Sequence, residues 1–326
     1  MPELNMVEAI NLALHQEMEK DKNVIVLGED VGKEGGVFRV TVGLQQKFGE
    51  ARVIDTPLSE SGIVGTSIGM AANGLKPVAE IQFDGFVHPA FDQMISHAAR
   101  IRTRTRGRFT CPLVVRFPYG GGIRALEHHS DSFEAFYVHA PGLKVVVPST
   151  PYDAKGLLIS SIRDPDPVIF MEPKRIYRAI RQEVPVEEYT IPLGKADMRR
   201  QGSDVSIFCW GAMVREAEKA ADELKDERVS CEVLDLRTLF PLDTPAIIES
   251  VKKTGRAVVV HEAHRTAGLG AEIAALINER ALLSLEAPVE RVTGFDTIMP
   301  LYTLENEYLP DTFRIKQAVQ KVMNFS

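Results

Sequence analysis

Residues 61–81 read SGIVGTSIGMAANGLKPVAEI. The small and apolar residues up to Gly74 suit a closely packed helix, and the run Pro77 to Ile81 behind it suits a buried strand. The same alternation extends in both directions. Val24 to Leu27 follows an amphipathic first helix, and Pro112 to Arg116, Lys144 to Val147 and Val168 to Met171 continue the series. Apolar runs of this kind, separated by helices, specify a parallel sheet covered on both faces. A polar stretch, RAIRQEVPVEEYTIPLGKADMRR, breaks the rhythm with its two prolines and reads as an extended linker. Beyond it SIFCW, CEVLDL, AVVVHE and a final run at Val289 to Val292 alternate with helices from about Arg215, after Pro245 and through GLGAEIAALINERALL. The expectation is an α/β domain over residues 1–185, a linker over 186–202 and a second α/β domain over 203–326.

The composition suits this arrangement. The chain has 326 residues, of which 44% are hydrophobic and 25% charged, enough to bury two cores. Its formal net charge of -7 offers no field for nucleic acid or an anionic membrane surface. No apolar run approaches the roughly 20 residues of a membrane helix, and the N-terminus lacks the features of a targeting segment. Cys111, Cys209 and Cys231 each fall in or beside a strand-like run and read as reduced core residues of a cytoplasmic protein.

Ligands of open α/β sheets collect beyond the carboxyl ends of the strands. Four loops occupy such positions: Gly28-Glu29-Asp30, Leu58 to Gly62, Gln82 to Phe86, and the segment from Gly120-Gly121-Gly122 to Ser132. Together they carry acidic, amide, aromatic and imidazole groups. Glu60 alone is an acidic residue at a helix start, where the positive helix terminus favours one. His129 offers an imidazole for proton transfer near neutral pH, although its neighbour His128 implies that one of the pair is structural. The glycine triplet is either a point of close ligand approach or a flexible turn.

Other signals lack the spacing that their chemistry needs. His261-Glu262-Ala263-His264 is one residue short of the H-E-x-x-H zinc pattern, and Gly268-Leu269-Gly270 has no third glycine for a dinucleotide. Arg100, Arg102, Arg104, Arg106 and Arg108 have no interleaved aromatics and read as carboxylate partners at a subunit interface.

The segments VLGEDVGKEGGVFRVTVGL, DTPLSESGIVGTSIGMA, EIQFDGF, HHSDSFEA, IRDPDPVIFMEPKRIYR, SCEVLDLRTLFPLD and KTGRAVVVHEA resemble, in order, the β subunits of 2-oxo acid dehydrogenases. The resemblance implies a thiamine-diphosphate-binding, pyrimidine-type domain followed by a transketolase-type C-terminal domain. It places Glu60 where the family has the glutamate that protonates the aminopyrimidine ring and so promotes formation of the ylide. It matches Glu29, Leu58, Ser59, Gln82 and Phe86 to positions lining the cofactor, and Phe83, Asp84, Gly85, Phe86 and His129 to positions facing the substrate. His129 falls on the histidine of acyl transfer to lipoamide. Leu113, Ser161, Ile162, Asp164 and Asp166 fall on a potassium-holding loop pair.

No G-D-G occurs in the chain. In the family that segment, which holds magnesium and the diphosphate, belongs to the α subunit. The resemblance therefore implies an α2β2 heterotetramer, inactive as the lone β chain and docked on a lipoyl acyltransferase core. MEPKRIYR, LDLRTLFPLD, HEA and GFDT look closer to branched-chain members, and HSDS to pyruvate members. Branched-chain 2-oxo acids are the expected substrates. Pyruvate or acetoin dehydrogenase β subunits are the alternative within the family, and a non-catalytic α/β scaffold is the alternative outside it.

Overall fold

The structure, a computed structural model, describes residues 1–325. Helix α1 (Met6–Lys20) begins at a capping box, in which Asn5 accepts from the Glu8 amide and Glu8 accepts from that of Asn5. It leads to β1 (Val24–Gly28), β2 (Val53–Asp55), α2 (Glu60–Ala72) and β3 (Lys76–Glu80). Then follow β4 (Val114–Tyr119), β5 (Lys144–Val146), α3 (Pro151–Arg163) and β6 (Val168–Pro173). These strands form a sheet in the order β5-β6-β4-β3-β1-β2, with every pair parallel.

The second half contains β7 (Asp197–Arg200), β8 (Val205–Cys209), α4 (Met213–Asp226), β9 (Cys231–Asp235), β10 (Thr238–Phe240) and α5 (Thr244–Thr254). It ends with β11 (Ala257–His264), α6 (Leu269–Ala281), β12 (Glu290–Gly294) and α7 (Thr312–Met323). Its sheet runs β12-β11-β8-β9-β7 and is parallel except at β7.

Two details differ from the sequence expectation. Residues 186–202 are not wholly linker, because β7 adds an antiparallel edge to the second sheet. The chain also returns to the first sheet after β9, where β10 pairs antiparallel with β5 and the Val147 amide donates to the Arg237 carbonyl at 2.7 Å. Short strands such as β2 and β10 carry too few residues to show a period, and α7 was not anticipated.

Alternate residues along each strand enter different cores. Val24, Val26, Val78, Val114, Val168 and Phe170 pack with α1 and α3, whereas Ala79, Val115, Phe117, Ile169 and Met171 pack with α2. Both cores continue into the second domain, one through Ile207 and the buried face of α4, the other through Phe208, Trp210 and α6. All three cysteines are buried and unpaired. Among the described residues no helix is long and apolar enough to cross a membrane.

Candidate active site

The carboxyl ends of β1, β3 and β4 set the rim. At Gly28 the chain passes so close to β3 that a Cβ there would lie 2.6 Å from the Glu80 carbonyl, and the turn places Glu29 and Asp30 at the edge. Glu29 is buried, and its Oε1 has no partner. Burial, then the nearby charges of Glu60 and Asp30, push its carboxyl up to about 6. Glu60 opens α2 and is half-buried beside Leu58, whose side chain is 79% exposed. Gln82, beyond β3, donates to the Asp30 carboxylate at 3.3 Å. Of the expected cofactor residues, Glu29, Glu60 and Gln82 thus meet on one rim, while Leu58 and Ser59 stand open on its outer side.

The structure separates the two histidines. His129 lies between Phe83, with ring centroids 4.4 Å apart, and Phe86, at 5.0 Å, both edge-on. Its Nδ1–H donates to the Glu127 carbonyl at 2.7 Å, which leaves Nε2 as the acceptor of the neutral ring. His128 is exposed, in a left-handed backbone conformation, with Nδ1 3.7 Å from Asp131.

Asp84 and Gly85, expected to face substrate, make close contacts within the chain. Asp84 is 1% exposed and accepts from the Tyr137 hydroxyl at 2.7 Å and the Phe133 amide at 2.9 Å. Burial pushes its carboxyl up to about 7 against those two bonds. Gly85 is pressed on the His128 carbonyl, where a Cβ would collide with backbone. The pair therefore staples the histidine loop to the sheet edge, and the flanking Phe83 and Phe86 carry the ring contacts.

The glycine triplet is neither a ligand cradle nor a loose turn. The Gly121 amide donates to Glu262 on β11, and Glu305 accepts from the amides of Gly122 and Arg124. Two carboxylates of the second domain thus hold the loop that leads to His129. A Cβ on Gly120 would lie 2.8 Å from Glu262, so the close approach is to protein. This clamp escaped the sequence reading, as did buried Lys174, because neither motif names its partner.

The residues expected to bind potassium gather at the amino ends of β4 and β6, the opposite edge of the sheet from Glu60. The Leu113 carbonyl accepts from Val168 at 2.9 Å and that of Ser161 from Asp164 at 3.3 Å. Asp164 is paired with Lys144 at 2.6 Å and Asp166 with Arg102 at 2.7 Å, so both carboxylates already have cationic partners. Ile162 is buried in the core. Arg102 also shows that one arginine of the basic run finds its carboxylate within its own chain. Among the described residues no three acidic, histidine or cysteine side chains converge as a metal cage.

Comparison with known proteins accounts for this architecture. Residues 2–179 match the transketolase pyrimidine-binding domain and residues 194–315 the transketolase C-terminal domain. The chain is similar to a split-gene transketolase solved as an inactive β4 tetramer, with a TM-score of 0.81 over 99% of both chains at 22% identity, a likeness of fold. It is 55% identical to the pyruvate dehydrogenase E1 component subunit beta of Acholeplasma laidlawii, covering 98% of each chain. It is also 55% identical to that of Bacillus subtilis and 53% to that of Staphylococcus aureus, covering 100% of each. With relatives this similar over their whole length, and with both domains matched in order, the chain belongs to the family of 2-oxo acid dehydrogenase E1 β subunits.

Proposed function

We propose that this chain is the β half of a pyruvate dehydrogenase E1, active with an α-type chain in an α2β2 assembly that delivers acetyl groups to a lipoyl acyltransferase. The observation that carries the reading is the half-formed rim: an acidic pair, an amide and an imidazole–aromatic cluster at one sheet edge, with Leu58 and Ser59 open beside them. The unpartnered Glu29 oxygen and the carboxyl of Glu60 suit the nitrogens of an aminopyrimidine ring, which supports thiamine diphosphate as the group held there. When bound, that cofactor supplies the electron sink for decarboxylation.

The residues of this chain do the remaining work. Glu60 would hold the proton exchanged with the ring nitrogen, and the neighbouring Glu29 carboxyl is raised by burial and by the charge of Glu60. Gln82, oriented by Asp30, and Phe86 shape the wall. His129 presents Nε2 to the acyl group and the incoming thiol, with its ring fixed by Phe83 and Phe86. We assign magnesium and the diphosphate to the α chain, a reading supported by the lack of a G-D-G segment in this sequence. The expected potassium residues lie at the other sheet edge, away from this rim.

Pyruvate replaces the branched-chain acids as the proposed substrate. The full-length relatives favour it, and so does the HSDS segment at His129 to Ser132. An apolar pocket discriminates by roughly 10- to 200-fold for each methylene, so selectivity between pyruvate and the branched acids is measurable in one preparation. With the reconstituted α and β chains, kcat/KM for pyruvate is expected to exceed that for the 2-oxo acids of valine and leucine by at least about tenfold. A preference for the branched acids would overturn the substrate assignment alone.

A further inference from the structure

Lys174 follows β6, where the sequence returns to polar residues, yet its side chain is 3% exposed. Burying an ammonium is costly unless the site compensates for it. Here compensation comes from both domains. The Nζ donates to the main-chain carbonyl of His129 and lies 5.4 Å from the centroid of the Phe83 ring. The charged groups facing it are Asp84 and Asp131 from the first domain and Glu262 and Glu305 from the second. Glu262 and Glu305 are also the carboxylates that hold the glycine triplet. One ammonium therefore touches the histidine's own backbone, the aromatic ring packed on that histidine, and the field of the clamp that fixes its loop.

We propose that Lys174 is a positioning residue for His129, tying the imidazole to Phe83 and to the interdomain clamp so that Nε2 stays aimed at the acyl group. The inference rests on the reading of His129 given above. Lys174 touches no reacting atom, and its effect passes entirely through the histidine. Its substitution removes a donor from the His129 carbonyl and a cation from the Phe83 face, while Glu60 and Glu29, on two other loops of the rim, keep their surroundings. The steps that depend on Glu60 should persist, and the step that depends on His129 should suffer.

The test uses the reconstituted α and β chains with pyruvate, comparing acetylation of a lipoylated acyltransferase domain with turnover on ferricyanide. Misplacement of a reacting group by about 1 Å can cost up to a hundredfold, so Lys174→Met is expected to slow lipoyl acetylation about tenfold or more. Ferricyanide turnover should fall less than about threefold, and the loss should appear in kcat with KM for the lipoylated domain unchanged. Lys174→Met combined with His129→Ala should be no slower than His129→Ala alone, because both act through one group. Additive losses, or equal loss in the two assays for Lys174→Met beside selective loss for His129→Ala, would overturn the proposal. If His129→Ala itself depresses both assays equally, the step assigned to His129 is wrong, and the double variant still decides whether Lys174 acts through it. Should the Met variant fail to assemble, Lys174→Gln, which retains a donor, is read in the same cycle.

Discussion

Glu60→Gln is expected to slow exchange of the C2 proton of thiamine diphosphate about a hundredfold or more in the reconstituted complex. The change keeps the shape of the side chain and its place at the start of α2, and Glu60 is only half-buried, so packing is undisturbed. What disappears is a carboxyl group able to give and retrieve a proton. A second consequence separates this role from a structural one. The charge of Glu60 is among the causes that raise Glu29, after burial, so the variant should let the Glu29 carboxyl fall towards its ordinary value. Proton exchange followed by quenched-flow NMR reads the first effect. Exchange at the wild-type rate would remove Glu60 from the mechanism.

Arg116→Leu is expected to destabilise the chain by roughly 3–5 kcal/mol, because it strips the only cation from a buried ionic cluster on three adjacent strands. Arg116 pairs with Glu80 and lies bidentate on Glu172, with Nε and Nη2 each 2.7 Å from an oxygen, and the Tyr177 hydroxyl donates to the same carboxylate at 2.5 Å. All three charged side chains are buried, and burial pushes Glu80 up even with the arginine present. Without it, nothing opposes the burial that raises Glu80, so that carboxyl holds its proton in the folded state at pH values where the unfolded chain has released it. Folding then takes up protons, so the stability of the variant falls as pH rises. The deficit against wild type should be smaller near pH 5 than near pH 8. Denaturant unfolding of the chain at both values provides the check, and a deficit that grows on acidification would contradict it.

The sequence exposed features whose signal is local. Strands β1, β3, β4 and β6 announce themselves as apolar runs, and Glu60 stands at the mouth of a helix whose small residues mark its start. Features made by distant residues stayed hidden. A turn written Asp84-Gly85-Phe86 does not reveal that its acid points inward to Tyr137, because that depends on a residue 53 positions away. The glycine triplet finds its carboxylate partner 141 positions on, in another domain. Likewise β10 is too short to show a period, and its pairing with β5 arises from the packing of the second domain against the first. Lys174 reads as an ordinary charged residue, since only the tertiary structure buries it.

The proposed function requires that this chain form only half of an active site. The direct measurement is calorimetric titration of thiamine diphosphate, with magnesium, into the purified β chain, into its α-type partner, and into the reconstituted pair, followed by pyruvate decarboxylation by each. The account predicts saturable magnesium-dependent binding and turnover for the pair, with weak binding and no turnover for the β chain alone. Tight, magnesium-dependent binding and decarboxylation by the β chain alone would contradict it.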